Sequence, residues 1–255
     1  MNGRDESVTI PESSKRSVSL FVPAYNEEKY LSNTVEMCLE ALKLCSIQTF
    51  EIIIVNDGSR DKTGDIINEL AVRYPFVVPL HNDKNRGFGN AFKRALEVAQ
   101  YDRFFVVTGD NELDVPLLKE LMTNMYKADL ILVYFLNREI RGRKRNLLST
   151  LFNTIYMITY SIFVQYVNGG AIYNTEKLKK VQLISNRFSI IMEASIKSLL
   201  SGCSYYEVSG YMQRGLEGST SLSFKNLVEV VLTYLRLFYT IKIRREFSST
   251  PRRIR

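Results

Sequence analysis

The alternation that fills the first half of this chain limits its fold most. Residues 18–22, 52–55, 77–80 and 104–107 are short apolar runs rich in β-branched or aromatic side chains. Between them lie segments with helical patterning. Leu31, Val35, Cys38, Leu42 and Cys45 follow one another at spacings of four, three, four and three, and the segments 62–73 and 88–100 continue the series. Such spacing places side chains on one helix face, so the stripe reads as the buried side of a helix. A fifth run, 129–133, follows a further helix expected at about 115–127. Strands that are apolar throughout are covered on both faces, and their alternation with helices makes βαβ units. The expectation is an α/β fold with a mostly parallel central sheet flanked by helices.

Ligands of such sheets bind beyond the carboxyl ends of the strands. Four polar or glycine-bearing turns follow the four runs and would converge on one cleft. They are Pro23-Ala24-Tyr25-Asn26-Glu27-Glu28, then Asn56-Asp57-Gly58-Ser59, then Asn82 to Ala91 with Lys84, Arg86, Gly87 and Gly89, then Gly109-Asp110-Asn111-Glu112-Leu113-Asp114. Asp110, Glu112 and Asp114 can meet on one cation, or Asp114 can cap the helix that opens at Val115-Pro116. Asp57 can accept hydrogen bonds from a ligand N–H or close its own turn. Lys84, Arg86 and the Gly87/Gly89 pair can cradle phosphate or form a plain loop. Gly89 is followed by Asn90-Ala91, so the dinucleotide fingerprint of a dehydrogenase is not met.

One His and three Cys, with no CxxC or HxxxH pair, leave no Cys/His zinc cluster. Any metal is then held by oxygen, and hard carboxylates suit Mg2+ or Mn2+. Cys38 and Cys45 read as reduced core residues and Cys203 has no evident partner, which fits a reducing, cytosolic compartment. The first sixteen residues are polar and mixed in charge, so they read as a tail without a secretory signal.

The second half is organised differently. Residues 147–167 are 21 consecutive uncharged positions, 14 of them apolar or aromatic. Seven Ser, Thr, Asn and Gln residues make this a weak membrane span and a better amphipathic helix over 146–167. A second amphipathic stretch holds Leu227, Val228, Val231, Leu232, Leu235 and Phe238. The net charge of +7 is concentrated beside these two segments, with +4 in 138–145 and +5 in 241–255, and the remaining 232 residues sum to −2. Apolar helices flanked by Lys and Arg are expected to lie on an anionic membrane surface, alone or with an integral-membrane partner. Basic residues beside apolar helices, rather than among exposed aromatics, argue against nucleic acid.

Together the four turns resemble family 2 glycosyltransferases of the GT-A fold. The second half is similar to the dolichol-phosphate-mannose synthase-like branch, which uses polyprenyl phosphate acceptors. The matching pieces there are 129–138, the loop Asn168-Gly169-Gly170-Ala171-Ile172-Tyr173, Met192-Glu193, and Arg214 ahead of Gly218-Ser219-Thr220-Ser221-Leu222. Glu112 stands where Asp is more usual. The resemblance implies a nucleotide-sugar half over 17–137 and an acceptor half over 138–222, followed by a C-terminal amphipathic helix and basic tail over 223–255. It implies that Pro23, Ala24, Tyr25, Glu27 and Asp57, with Lys84, Arg86, Gly87 and Asn111, hold the nucleotide sugar. Asp110 and Glu112, with Asp114 as a third carboxylate, would hold Mn2+ or Mg2+, and Arg214 would face the diphosphate. The implied activity is an inverting hexosyltransferase at the cytoplasmic face of a membrane, acting on polyprenyl phosphate. Two alternatives stay open: transfer to a sugar hydroxyl of a lipid-linked glycan, for which Glu193 would be the general base unless it is a carboxylate paired with Arg187 or a residue of a basic patch, and a non-catalytic nucleotide-binding scaffold.

Overall fold

The computed structural model describes residues 16–107, 113–211, 224–247 and 249–254. The strands β1 (Ser17–Ala24), β2 (Thr49–Asn56), β3 (Val77–His81) and β4 (Arg103–Val106) alternate with the helices α1 (Leu31–Leu44), α2 (Thr63–Arg73) and α3 (Phe88–Val98). Next come α4 (Val115–Asn124), β5 (Leu130–Phe135), α5 (Arg143–Tyr160), β6 (Ala171–Asn174), α6 (Thr175–Lys179), α7 (Ser189–Leu200) and β7 (Ser204–Gly210). The last elements are α8 (Phe224–Phe238), a π turn over Tyr239–Ile243 and the two-residue strand β8 (Arg252–Arg253). One sheet holds the strands in the order β3-β2-β1-β4-β6-β5-β7-β8. All its pairings are parallel except those of β6, which runs antiparallel to both β4 and β5.

Alternate residues of each strand feed opposite faces, because successive side chains point to opposite sides. Leu20, Ile52, Ile54, Phe105 and Val133 pack with Leu31, Val35, Cys38 and Leu42 of α1 and Leu118 and Leu121 of α4. Phe21, Ile53, Val55, Phe104 and Leu132 pack with Phe92 and Ala95 of α3 and Ile190, Ile196 and Leu199 of α7. The two-sided apolar strands are thus the ones a doubly covered sheet requires. All three cysteines are free, and burial pushes the Cys38 thiol up to about 12.

Two segments depart from the expectation. The uncharged stretch 147–167 is not a single helix. α5 starts earlier, at Arg143, and stops at Tyr160, where Ser161 takes a left-handed conformation (φ 55°). Ile162, Val164, Tyr166 and Val167 then turn back into the core. Asn153, a polar residue inside the apolar run, makes this return possible: its Nδ2 donates to the Gln165 carbonyl (3.2 Å) and its Oδ1 accepts from the Val167 N–H (3.0 Å). The other departure is at the C terminus, where Arg252 and Arg253 pair with Ser204 and Tyr205 as an edge strand. Arg253 Nη2 lies 3.0 Å from Glu207 Oε2.

Among the described residues no helix is long and apolar enough to cross a membrane. α5 nevertheless leaves Leu147, Leu148, Leu151, Ile155 and Ile158 exposed on one face, with Phe163 just beyond its end. α8 leaves Val228, Val231, Leu232, Leu235 and Phe238 exposed in the same manner. The two helices are joined by tyrosines, since Tyr156 Oη donates to the Val230 carbonyl and Tyr160 Oη to the Tyr234 carbonyl, each at 3.2 Å.

Candidate active site

The carboxyl ends of β1, β2 and β3 lie side by side, with Ala24 opposite Asn56 and Asn56 opposite His81. Their loops are laced together by side chains that accept backbone N–H groups. Asn26, in a left-handed conformation (φ 58°), donates its N–H to Ser59 Oγ (3.0 Å), and its Oδ1 accepts from the Arg60 N–H (2.9 Å). The Glu27 N–H donates to Thr63 Oγ1 (2.8 Å), and Glu28 Oε2 accepts from the Lys62 N–H (3.0 Å). Loop backbone outside the sheet needs such partners, and here each loop supplies the other's. Tyr25, directly after β1, is exposed.

Asp57 is buried beneath the β3–α3 loop. Its Oδ1 accepts from Asn82 Nδ2 (2.7 Å) and the Arg86 N–H (2.9 Å), and its Oδ2 from the Gly87 N–H (2.8 Å). The carboxylate therefore shapes the loop that carries Lys84 and Arg86, whose side chains are exposed. Arg86 meets Asp83 only at 3.9 Å across an open surface, so its guanidinium remains available to an anion.

Gly87 and Gly89, which the sequence leaves as a phosphate cradle or a plain loop, have a packing role in this turn. Gly87 has φ +91°, and a Cβ there would lie 2.5 Å from the Asn186 carbonyl oxygen. A Cβ on Gly89 would lie 2.6 Å from the Asn186 carbonyl carbon. Both glycines let the turn press against residues 185–187. The Gly89 N–H donates to the Asn186 carbonyl (2.9 Å), Lys93 Nζ donates to Asn186 Oδ1 (2.7 Å), and the Phe88 and Phe188 rings stack with centroids 5.2 Å apart.

Glu193, the expected base, lies in α7 with its side chain 2% exposed. Its Oε1 accepts from the Ile184 N–H (3.0 Å) and from Lys197 Nζ (2.6 Å), and its Oε2 from the Ser185 N–H (2.8 Å). Burial works against the charged form, yet the Lys197 ammonium and the Ser185 donors outweigh it and hold the carboxyl below its ordinary range. A saturated, ion-paired carboxylate is a poor proton acceptor in this arrangement, and the cation that pairs with it is Lys197.

Asp114 is the N-cap of α4, its Oδ1 accepting from the Leu117 N–H (2.9 Å), with Pro116 in the first turn. Asp110, Asn111, Glu112 and Arg214 lie outside the described residues. Among the described residues no group of three His, Cys, Asp or Glu side chains is placed to hold a metal ion. Lys197, Asn186, Phe188 and Asn82 were not foreseen. Lys197 had a visible signal in its i, i+4 spacing from Glu193. Asn186 and Phe188 had none, because their partners lie over 90 residues away.

The excursion from β5 to β6 begins and ends at this same carboxyl edge. Phe135 closes β5, and the Val133 N–H donates to the Gly170 carbonyl just before β6 begins (3.1 Å). Between α5, α7 and α8 lies a cavity of about 60 Å³ lined by Ser149, Asn153, Asn168, Met192 and Val230 among others. At its rim Arg138 donates to Ser149 Oγ (3.2 Å) and sits 4.3 Å from the centre of the Tyr166 ring.

The model of the family described as glycosyl transferase family 2 matches residues 19–196. A dolichyl-phosphate beta-glucosyltransferase (ALG5D) of Trichomonas vaginalis is 34% identical over 134 residues, covering 48% of this chain and 41% of its own length. The bactoprenol glucosyl transferase of Shigella phage SfV is 28% identical over 172 residues, covering 67% of this chain and 56% of that protein. The matches thus span about half the length of these curated relatives. Among solved structures, mannosyl-3-phosphoglycerate synthase from Rubrobacter xylanophilus superposes with a TM-score of 0.65 at 13% identity, over 90% of this chain and 75% of that one. Glucosyl-3-phosphoglycerate synthase from Mycobacterium tuberculosis, in complex with Mn2+, UDP and phosphoglyceric acid, gives 0.60 at 17% identity, over 87% of this chain and 78% of that one. At these identities the likeness shows the fold, which is GT-A.

Proposed function

Because the chain belongs to glycosyl transferase family 2, we propose that it moves a hexose from a nucleotide sugar to a polyprenyl phosphate at a membrane surface. One observation carries this reading. The exposed apolar face of α5 belongs to an excursion rooted at the same sheet edge as the donor loops, and α8, exposed in the same manner, is tied to α5 through Tyr156 and Tyr160. A lipid acceptor seated on those faces would reach the cleft without leaving the bilayer surface. Arg236, Lys242, Arg244 and Arg245 are exposed on or beyond α8 and suit anionic headgroups at the cytoplasmic face. The dolichyl and bactoprenol names of the relatives support the same acceptor class.

The platform of Tyr25 and Glu27 would take the base and ribose, and Lys84 and Arg86 the diphosphate. Asp110 and Glu112 would hold a divalent cation. Their donor set is oxygen only, which fits Mn2+ or Mg2+. When bound, such an ion neutralises charge on the leaving nucleotide. Arg138 at the rim of the α5–α7–α8 cavity would meet the acceptor phosphate. A lipid monophosphate has a second pKa near ~6 and is already anionic at neutral pH, so attack on the anomeric carbon requires no general base. The ion-paired state of Glu193 supports that base-free route over transfer to a hydroxyl.

The test is transfer itself. Protein incubated with Mn2+, radiolabelled UDP- or GDP-hexose and a short polyprenyl phosphate should yield labelled lipid on extraction. No labelled lipid from any donor, together with no metal-dependent nucleotide binding, would overturn the reading.

A further inference from the structure

We infer that Glu193 is a positioning residue of the donor site, acting through residues 184–188 on the turn that holds the nucleotide sugar. This inference rests on the donor site proposed above. Glu193 uses both carboxylate oxygens to bind the backbone of Ile184 and Ser185. Lys197 anchors the same segment one step earlier, donating from Nζ to the Gln182 carbonyl (2.6 Å) as well as to Glu193. The ion pair therefore grips the chain at 182, 184 and 185 from inside the core. The next residue, Asn186, makes the contacts that matter: its carbonyl receives the Gly89 N–H and its side chain receives Lys93. Phe188 then stacks on Phe88, which also packs on Phe21 of β1 (5.9 Å).

The other side of the turn is held by Asp57 through the Arg86 and Gly87 N–H groups. The segment 86–89 is thus clamped between two buried carboxylates, Asp57 acting directly and Glu193 through Asn186. Arg86 lies inside the clamp and Lys84 beside it. Their reach toward a diphosphate depends on the turn keeping this position, because preorganised donors bind without further ordering. The elements closing over the pair reinforce the grip, with Ser185 Oγ 3.4 Å from Thr233 Oγ1 of α8. A residual cavity of only about 10 Å³ beside it leaves the segment little room to shift.

Positioning and base catalysis leave different kinetic marks. Glu193→Gln keeps the shape but turns one acceptor into an NH2 group facing a backbone N–H, and it leaves Lys197 without its counter-ion. Gly89→Ala disturbs the same contact from the opposite side, because its Cβ would meet the backbone of 185–187 at 2.6 to 2.8 Å. Each variant should raise the donor KM, and the Kd for UDP or GDP with Mn2+ by calorimetry, by about tenfold. The kcat should stay within about twofold of wild type. The double variant should be no weaker than the weaker single, since both break one contact.

A collapse of kcat at unchanged nucleotide affinity would overturn the inference and restore Glu193 as a base. Additive effects in the double variant, or unchanged nucleotide affinity in both singles, would overturn it as well. Should Glu193→Gln fail to fold, Gly89→Ala alone decides through nucleotide affinity, because it leaves the ion pair intact. If wild type binds nucleotide but labels no lipid, the acceptor reading fails while this titration still gives its own answer.

Discussion

α5 and α7 line the same cavity, yet they treat polarity in opposite ways. α5 comes from the longest uncharged stretch of the chain and leaves leucines and isoleucines in the open, with Ile158 74% and Leu147 72% exposed. α7 carries Glu193, Lys197 and three serines and buries every residue. Burying a charge is costly unless it is paired, and the i, i+4 ion pair with its backbone donors meets that condition. Leaving apolar surface in water is also unfavourable, and contiguous apolar patches mark an interaction site. The difference separates two tasks. α7 gives up easy packing to fix a loop, whereas α5 gives up burial and keeps an apolar face in the open.

The sharpest way to break this contrast is to strip the pair of one partner. Lys197→Met should destabilise the fold by about 3–5 kcal/mol, because it leaves a buried uncompensated carboxylate. Glu193→Leu/Lys197→Met should recover only part of that loss, because the Ile184 and Ser185 N–H groups and the Gln182 carbonyl lose their partners, and urea unfolding of the three proteins checks both statements. The opposite manipulation belongs to α5. Combined Leu147→Ser, Leu151→Ser and Ile158→Ser should move stability by no more than about 0.5 kcal/mol per site. The same triple variant should lower binding to phosphatidylglycerol vesicles by about a thousandfold, given ~1.5 kcal/mol or more for each of three large apolar side chains removed from contact with lipid. Equal vesicle binding in a sedimentation assay would show that α5 faces something other than lipid.

Two smaller effects refine the comparison. Tyr156→Phe removes the hydroxyl that ties α5 to the Val230 carbonyl and should cost about 1 kcal/mol in thermal unfolding. The pH dependence of Glu193 has a definite sign. Its folded carboxyl titrates below the ordinary value of 4.5, so the stability it adds is fully present above that pH. The advantage of wild type over Glu193→Gln should therefore be flat at neutral pH and shrink as pH falls below 4.5 toward the lowered midpoint. A gap that widens on acidification would contradict the ion-paired state.

The first half of the fold was legible because β1 to β5 and α1 to α4 each carry their own period, with Leu31, Val35, Cys38 and Leu42 buried as their spacing demands. β6 was not legible: four residues after a double glycine carry too little pattern, and nothing local says that the strand runs antiparallel. The end of α5 was hidden for a related reason. Ser161 begins a turn whose partners come from Asn153, and side-chain rescue of a backbone carries no periodic signal. Within the site, the clustering of the loops after β1, β2 and β3 followed from topology alone. The true partners of Asp57 and Glu193 did not, because a carboxylate's neighbours are set by tertiary contact and not by its own type.

The contact between Asn186 and the turn before α3 also orders events during synthesis. Lys93 and Asn186 are separated by 93 residues, so a chain growing from its N terminus makes the turn long before it makes the clamp. At roughly 5–20 residues per second that interval is roughly 5–20 s. Through it, the strands β1 to β4 can pair while the backbone at 84–89 stays uncovered. Nascent chains arrested before residue 180 should be cut by trypsin at Lys84 and Arg86, and released full-length chains should resist. On this timetable the loop cluster after β1, β2 and β3 matures late, only when the helix that carries its clamp has been translated.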